Sequence, residues 1–323
     1  MNPLDASVNE IRSQLDESRR HFLYSDGLSR KVLRALNQDA LVHSDHLEPG
    51  FDHKATLARL KNAWERGLSQ YSGRVTERLI LDLSQIIDFK NKGGYRNATG
   101  FTIDRTGNRV FFTNPAKISR DLGAFLDSLG NFHEDPIVQA AQLHLYTAII
   151  HPLNDGNGRT SRLVQNLILH HEGIPPAIIK STERFTYLSH LEDAHRGFKD
   201  RDEGLVGPFD NPSYPEIRFL QYVLDRVKDA TGRLSDEILS QRRYEVDVKM
   251  KGTPKNIYGL RNAIRNSLGS RGISPSFDIS PKSGLMTVVT RASEEEMIGI
   301  IEKYKSRSPT LLKYDIADTT NKQ

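Results

Sequence analysis

The sequence predicts a mainly α-helical chain, interrupted by one β-hairpin and followed by a small α+β domain with the order βαββαβ. Three observations carry this. Apolar residues recur at helical spacing through most of residues 1–233. One segment near 99–113 alternates instead and has a Gly-Asn pair at its centre. From about Arg242 the pattern changes to short period-two runs separated by two helical ones. The chain therefore divides into an N-terminal helical region (1–90), a core (91–233) and a C-terminal domain (242–323).

Residues 1–90 read as helices. "SRKVLRALNQDALV" places Val32, Leu33, Leu36 and Ala40 on one face, and "ERLILDLSQIIDF" repeats the pattern. In "NKGGYRNATGFTIDRTGNRVFFTNPAKI", Phe101 and Ile103 are followed by a turn at Gly107-Asn108 and then by Val110, Phe111 and Phe112, a hairpin signature over 99–113. "IVQAAQLHLYTAII" sets Leu143, Thr147 and Ile150 on one stripe. "RLVQNLILHHEGIPP" runs apolar to Gly173, a helix C-cap, with Pro175 and Pro176 beyond it. Tyr187, Leu188 and Leu191 begin another helix, and the Pro-rich "PFDNPSYP" leads into the last helix of this part. Further on, "YEVDVKM" alternates Tyr244, Val246, Val248 and Met250. A helix follows through Ile257, Leu260, Ile264 and Leu268, ending at Gly269. Then come the strands "SFDIS" and "GLMTVVT", the helix "SEEEMIGIIEKY" and the strand "LLKYDIA". The order suggests a split-βαβ, ferredoxin-like sandwich.

Composition excludes several classes of function. The 323 residues contain no Cys, so there is no disulfide framework, thiolate nucleophile or zinc–thiolate site, which fits a reducing, cytoplasmic setting. The polar N-terminus carries early acids and does not read as a signal peptide, and no apolar run approaches a membrane span. Net charge is +4; from Leu234 onward there are 15 Lys and Arg against 11 Asp and Glu, and before it 30 against 30. So slight an excess does not argue for nucleic-acid binding. The C-terminal domain does not either. RNA-binding sandwiches carry aromatics on their central strands, whereas "GLMTVVT" has none and "YEVDVKM" has only Tyr244.

One stretch concentrates chemistry: "HPLNDGNGRTSR", residues 151–162. One apolar stripe ends at Ile150 and the next begins at Leu163, so the stretch is a loop leading into a helix, with Pro152 near the break. "DGNG" then falls at the helix start, where free backbone N–H groups and the positive end of the dipole favour an anion, and glycines allow a phosphate to approach closely. Arg159 and Arg162 are one turn apart and can grip the same anion. Asp155 at the mouth suits Mg²⁺, which takes a carboxylate together with phosphate oxygens. His151 is a base that works near neutral pH. These are the parts of a nucleotidyl-transfer site. There is no GxxxxGK(S/T) loop, "GNGRTS" misses GxGxxG by one residue and follows a helix, and the stretch has too few ligands for zinc.

"HPLNDGNGRTSR" resembles the motif of the Fic (filamentation induced by cAMP) family, HPFx(D/E)GNGRxxR, departing at a fixed position only in Leu153 for Phe. The resemblance covers roughly residues 25–230 and implies a helical Fic fold with a β-hairpin flap. It implies that His151 deprotonates a hydroxyl of a target protein, and that Asp155 binds Mg²⁺ bridging the α- and β-phosphates of ATP. Gly156, Asn157 and Gly158 would form the anion hole, and Arg159 and Arg162 would hold the β- and γ-phosphates. The result would be transfer of AMP to Ser, Thr or Tyr with release of pyrophosphate. The family's death-on-curing branch, which phosphorylates, has Lys at the position of Gly158, so the chain looks like the AMP-transferring branch. Tyr187 matches the aromatic on the adenine side. Thr99, Gly100, Phe101 and Thr102 belong to the flap, which would hold the target's backbone as an added strand.

Many members of the family carry an inhibitory helix with Ser or Thr, Glu four residues later, and then Gly or Asn. "SDHLEPG" supplies Ser44 and Glu48 but has Pro49 at the last position; "SQLDES", with Ser13 and Glu17, is its rival. A Glu48–Arg162 pair would neutralise a phosphate-binding Arg. The resemblance leaves open AMP removal assisted by Glu48, and other donors such as UMP or phosphocholine. Outside enzymology it leaves open a nucleotide sensor with the C-terminal domain as effector, and it allows self-modification and a homo-oligomer. His133, His144, His170, His171 and His195 form no constellation in the sequence, and no function is assigned to them.

Overall fold

The structure, a computed structural model, describes residues 2–20, 26–48, 52–200, 209–250, 256–271, 273, 275–281, 283–308 and 310–320; Pro49, Pro208 and Lys282 lie outside them. It is mainly helical with two small antiparallel sheets, and it divides into two compact units. One comprises residues 1–16 and 30–234, the other residues 17–29 and 235–323. Residues 30–90 therefore share a unit with the core.

The first unit contains α2 (Asp26–His46), α3 (His53–Gln70), α4 (Glu77–Ile87), β1 (Phe101–Ile103), β2 (Arg109–Phe111), α5 (Ile118–Ser128), α6 (Pro136–Ile150), α7 (Asn157–His171), α8 (Arg184–Asp200) and most of α9 (Tyr214–Leu239), with α1 (Asp5–Arg20) leading in. Its axis is α6, buried on every side. The one-stripe expectation for this segment is corrected: an apolar helix surrounded by other helices needs no polar face. Asp135 caps α6 by accepting from the N–H of Ile137, and Pro136 fits the first turn, where its missing N–H costs nothing. α7 packs antiparallel beside α6 and is buried from Arg159 to Leu169. It ends at His171 with Glu172 as C-cap, one residue before the expected Gly173, which takes a left-handed φ of 67° just beyond; the N–H of Ile174 reaches the carbonyl of Leu169 at 2.8 Å.

The hairpin is shorter than the 99–113 expectation. Its strands are three residues each, pairing Phe101 with Phe111, Thr102 with Val110 and Ile103 with Arg109. The turn is organised by Asp104, whose Oδ1 accepts from the N–H groups of Thr106 and Asn108 and from the Thr106 hydroxyl. Asp104 also pairs with Arg196, and Arg105 pairs with Glu192 and Asp193, so the tip is clipped to α8.

In the second unit β3 (Arg242–Met250), α10 (Ile257–Gly269), β4 (Ser276–Ser280), β5 (Leu285–Thr290), α11 (Glu294–Arg307) and β6 (Leu311–Asp318) follow one another. The sheet is antiparallel with the order β4-β5-β3-β6. Tyr244, Val246, Val248, Met286 and Val288 face Leu260, Ile264, Leu268 and Ile301 in one apolar core. Ser293 and Glu296 close a reciprocal cap at the start of α11. Tyr244 is fully buried with its hydroxyl on the Ala292 carbonyl, so the one aromatic of the central strand is not offered for stacking on a base. Among the described residues no helix is long and apolar enough to cross a membrane.

Candidate active site

The loop between α6 and α7 is shaped by its own side chains. His151 is the C-cap of α6 at φ 53°, the only non-glycine positive φ among the described residues. The Arg96 guanidinium secures this turn. It donates to the carbonyls of His151 (2.6 Å), Ala98 (2.8 Å), Thr113 and Ile150, and the Arg96 N–H donates to the Pro152 carbonyl. Leu153 is buried, as an anchor should be. The Asn157 amide bridges the N–H and carbonyl of Leu153, both at 2.9 Å, so this side chain holds the loop and only its backbone remains for an anion. Asn91 does the same from a 3₁₀ turn at Phe89–Gly93, bonding the Asp155 carbonyl and the N–H groups of Asn154 and Asp155. Arg96 is buried and its partners are main-chain carbonyls. Replacing it with Ala leaves them without a donor, and unfolding free energy in urea should fall by on the order of 3 kcal/mol.

α7 begins at Asn157 with Gly156 as N-cap at φ 71°, and no side chain caps its first turn. Its N–H groups are thus free to receive an anion. Gly158 lets Glu48 and Arg162 come close: a Cβ there would stand 2.4 Å from Glu48 Oε1 and 2.9 Å from an Arg162 nitrogen, and those side-chain ends would have to move. Arg159 lies 3.5 Å from Asp155 and 3.8 Å from Asp88, and its buried Nε has no hydrogen-bond partner among the described residues. A buried donor of that kind calls for an acceptor. Asp155, 41% exposed, accepts from the Gly156 N–H at 2.7 Å and pairs with Lys90 at 2.8 Å. Burial works against its charge, but Lys90, the Gly156 N–H and Arg159 hold its carboxyl below the usual range. The Lys90 pair is exposed and therefore weak, so the carboxylate is available to Mg²⁺, which is content with one carboxylate plus phosphate oxygens.

His151 Nδ1 faces the Ala148 carbonyl at 3.2 Å. A carbonyl only accepts, so the proton sits on Nδ1 and Nε2 keeps its lone pair. Burial, helped by Arg96, pushes the imidazole down to about 4. His151 stacks on Phe112 (centroids 3.8 Å apart, planes at 8°), and Phe112 stacks in turn on His195 (5.3 Å, 2°). Burial likewise depresses His144, to about 3, and His195, to about 4. In the unfolded chain each returns toward 6.5 and binds a proton more readily than in the fold. Stability should therefore be flat above pH 7 and fall as pH drops from about 6.5 toward 4. Melting temperatures across that range check this.

Arg162 is buried and fully engaged. Nε donates to the Ser44 hydroxyl (2.9 Å), and Nη2 donates to the Ser44 carbonyl (3.0 Å) and to Glu48 (2.8 Å). Its Nη1 donates to the Tyr187 hydroxyl at 3.2 Å. Burial opposes the charge of Arg162, but Tyr187 and Glu48 outweigh it, and its pKa is raised. Burial also opposes the charge of Glu48, and the Arg162 charge and hydrogen bond override it, so its carboxyl lies below the usual value. Tyr187, expected beside the adenine, is only 2% exposed; its hydroxyl joins Arg162 to His144, whose other nitrogen meets Gln165 at 2.7 Å. A cavity of about 480 Å³ is lined by His151, Gly158, Glu48, Tyr187, Phe112 and Thr102, among others. Thr99, Gly100, Phe101, Asp155 and Arg159 are not part of its lining.

Residues 74–169 match the family model described as Fic/DOC, a span that encloses the whole stretch from His151 to Arg162. A protein adenylyltransferase Fic from Nematostella vectensis is 36% identical over 250 residues, 68% of this chain and 55% of the relative. The chain belongs to the Fic/DOC family. Protein adenylyltransferase fic-1 from Caenorhabditis elegans is 38% identical over 78 residues, 24% of this chain and 15% of the relative. The chain thus spans about half the length of the Nematostella relative it matches. Among solved structures, a Fic domain containing signaling protein from Bacteroides thetaiotaomicron has a TM-score of 0.57 at 19% identity, covering 71% of this chain and 97% of its own. A Fic family protein from Desulfovibrio desulfuricans has a TM-score of 0.51 at 16% identity, covering 91% and 98%. These two likenesses concern the fold alone.

Within the Fic loop, sequence reasoning placed the motif residues together. It did not find Asn91, Arg96 as a brace, Lys90 against Asp155, or His144 and Gln165 behind Tyr187. The bonds from Lys90 to Asp155, from Asn91 to the Asp155 carbonyl, from Arg96 to the His151 carbonyl and between His144 and Gln165 span 65, 64, 55 and 21 positions of the chain. Among these residues only Arg96, next to Tyr95 and just before the hairpin, stands close to a segment that the resemblance singles out.

Proposed function

We propose that the chain is a protein adenylyltransferase that transfers AMP from Mg²⁺-ATP to a hydroxyl side chain of a target protein. One observation carries the reading: a neutral His151 with a free Nε2 lone pair stands beside a glycine-lined helix start that no side chain caps. The names of the curated relatives support it. The first-turn N–H groups of α7 and the unpartnered Nε of Arg159 receive phosphate oxygens, and Arg162 adds charge when released from Glu48. Asp155 would hold Mg²⁺, which would supply charge that offsets the phosphates. His151 takes the proton of the target hydroxyl. The hydroxyl oxygen bonds to the α-phosphorus as the bond to the pyrophosphate oxygen breaks, and the imidazolium then gives its proton to solvent.

In this reading Glu48 is a brake: it occupies Arg162 and fills the space beside Gly158. The hairpin is a flap whose exposed Phe101, Ile103 and Phe111 meet an extended target segment, added as a further strand. The second unit is a ferredoxin-like sandwich, supported by its element order and by the strand order β4-β5-β3-β6.

Incubation with Mg²⁺ and ATP labelled on either the α- or the γ-phosphate tests the chemistry. Label on protein from α-labelled ATP alone, with a mass gain of one AMP, supports AMP transfer. Label from γ-labelled ATP marks a kinase. No label with lysate proteins present removes the transferase reading.

A further inference from the structure

Asp45, His46 and His53 lie outside the Fic loop, and no step of AMP transfer uses them. Asp45 is 2% exposed and its Oδ2 meets His53 Nδ1 at 2.8 Å. The rings of His46 and His53 stand edge to face with centroids 4.8 Å apart. One ligand atom from each of the three residues lies within 4.8 Å of the others. The helix ends place them: His46 is the last residue of α2, and Asp52 caps α3 so that His53 is its first. A hydrogen-bonded clip between the two helices needs only Asp45 and His53; the second imidazole turns the pair into a three-donor set.

Two imidazole nitrogens and one carboxylate oxygen suit Zn²⁺ and the neighbouring late transition ions, and they suit Mg²⁺ poorly. Ligands about 2.0–2.2 Å from Zn²⁺ stand roughly 3.3 Å apart in a tetrahedron. Closing the present set on an ion therefore asks ligand atoms now within 4.8 Å of one another to draw together, which rotation of the exposed imidazoles favours, with water as the fourth ligand. The position gives the cluster its significance. Asp45 follows Ser44, and Glu48 lies on the chain between His46 and His53. This same end of α2 is held by Arg162 and, through the Leu47 carbonyl, by Arg184 at 2.7 Å.

We propose that Asp45, His46 and His53 bind a transition-metal ion of the Zn²⁺ type, which pins the end of α2 to the start of α3 and so keeps Glu48 on Arg162. The second half of the proposal rests on reading Glu48 as a brake. Binding replaces the Asp45–His53 hydrogen bond with two metal–ligand bonds, and a ring proton held at Nδ1 moves to Nε2.

Metal binding is measured first, apart from activity. The full chain is stripped with chelator and titrated with Zn²⁺ by calorimetry, and with Co²⁺ by visible absorption. The variants are His46→Ala and His53→Ala, both at exposed positions where folding is checked by circular dichroism. The expected result is one equivalent bound, with each variant weakened by more than the about 10–100-fold that loss of a ligand's outer partner costs. Zn²⁺ should raise the melting temperature of the wild type only. Absence of stoichiometric binding, or binding by either variant as tight as that of the wild type, overturns the site.

Transfer is measured next, on protein loaded with one equivalent of Zn²⁺ and freed of excess. AMP incorporation should drop several-fold in the wild type and not change in His53→Ala. Glu48→Gly should bind the metal and be indifferent to it. A Glu48→Gly protein that responds as strongly as wild type overturns the coupling. A Glu48→Gly protein no more active than metal-free wild type removes the brake, while the binding titration still judges the site.

Discussion

Replacing His151 with Ala should lower AMP incorporation by about 10²–10⁴-fold, the range a positioned general base contributes. ATP affinity should stay close to that of the parent. The imidazole is bonded to the Ala148 carbonyl and stacked on Phe112, whereas the groups that would meet phosphate are the N–H groups of α7 and the two arginines. Single-turnover transfer alongside equilibrium ATP binding separates the two effects. Transfer that survives in the variant would assign the proton to another group; lost nucleotide binding would show that the ring supports the loop rather than the chemistry. Because the imidazole in the fold titrates near 4 rather than 6.5, the parent enzyme should show no acid limb between pH 6 and 8 arising from this residue.

Glu48→Gly should act in the opposite direction and raise self-modification or target modification at least about tenfold, equivalent to shifting the competent population by ~1.4 kcal/mol. The carboxylate neutralises Arg162 at 2.8 Å and stands 2.4 Å from the place where a Cβ on Gly158 would be. Removing it frees a guanidinium and a volume together. Arg162 does not collapse when Glu48 is gone, because Ser44 and Tyr187 still hold it. Intact-mass spectrometry after timed incubation with Mg²⁺ and ATP reads the change. Equal incorporation in the two proteins would mean that Glu48 merely packs against the loop.

The parts of this site legible in the sequence were those whose chemistry is local. His151, Asp155, the glycines and the arginines sit within twelve residues, and a loop entering a helix is enough to bring them together. The Ser44–Glu48 spacing was legible for the same reason. The supports were not, because burial decides them. Arg96 reads as a surface charge until the carbonyls around it are seen, and His144 reads as a spare histidine until Tyr187 closes over it. In the fold, helix positions followed apolar spacing well. The one-sided stripe on α6 did not survive, since α5, α7 and α8 pack around the helix and bury nearly all of its residues. The hairpin was found, but its strands are three residues each, since Asp104 organises residues up to Asn108 into the turn and beyond Phe101 and Phe111 the bond from the Phe112 N–H to the Gly100 carbonyl continues the pairing.

Arg96 grips the loop and the base of the hairpin through main-chain oxygens alone. Every amino acid presents that oxygen, so the brace is blind to side-chain identity at Ala98, Thr113 and Ile150. The residues of the hairpin are then free to be exchanged, by natural drift or by a protein engineer, without loosening the turn that presents His151. On the proposed reading, selectivity for a target protein and competence for transfer would be alterable separately, with Phe112 as the exception because its ring stacks on His151.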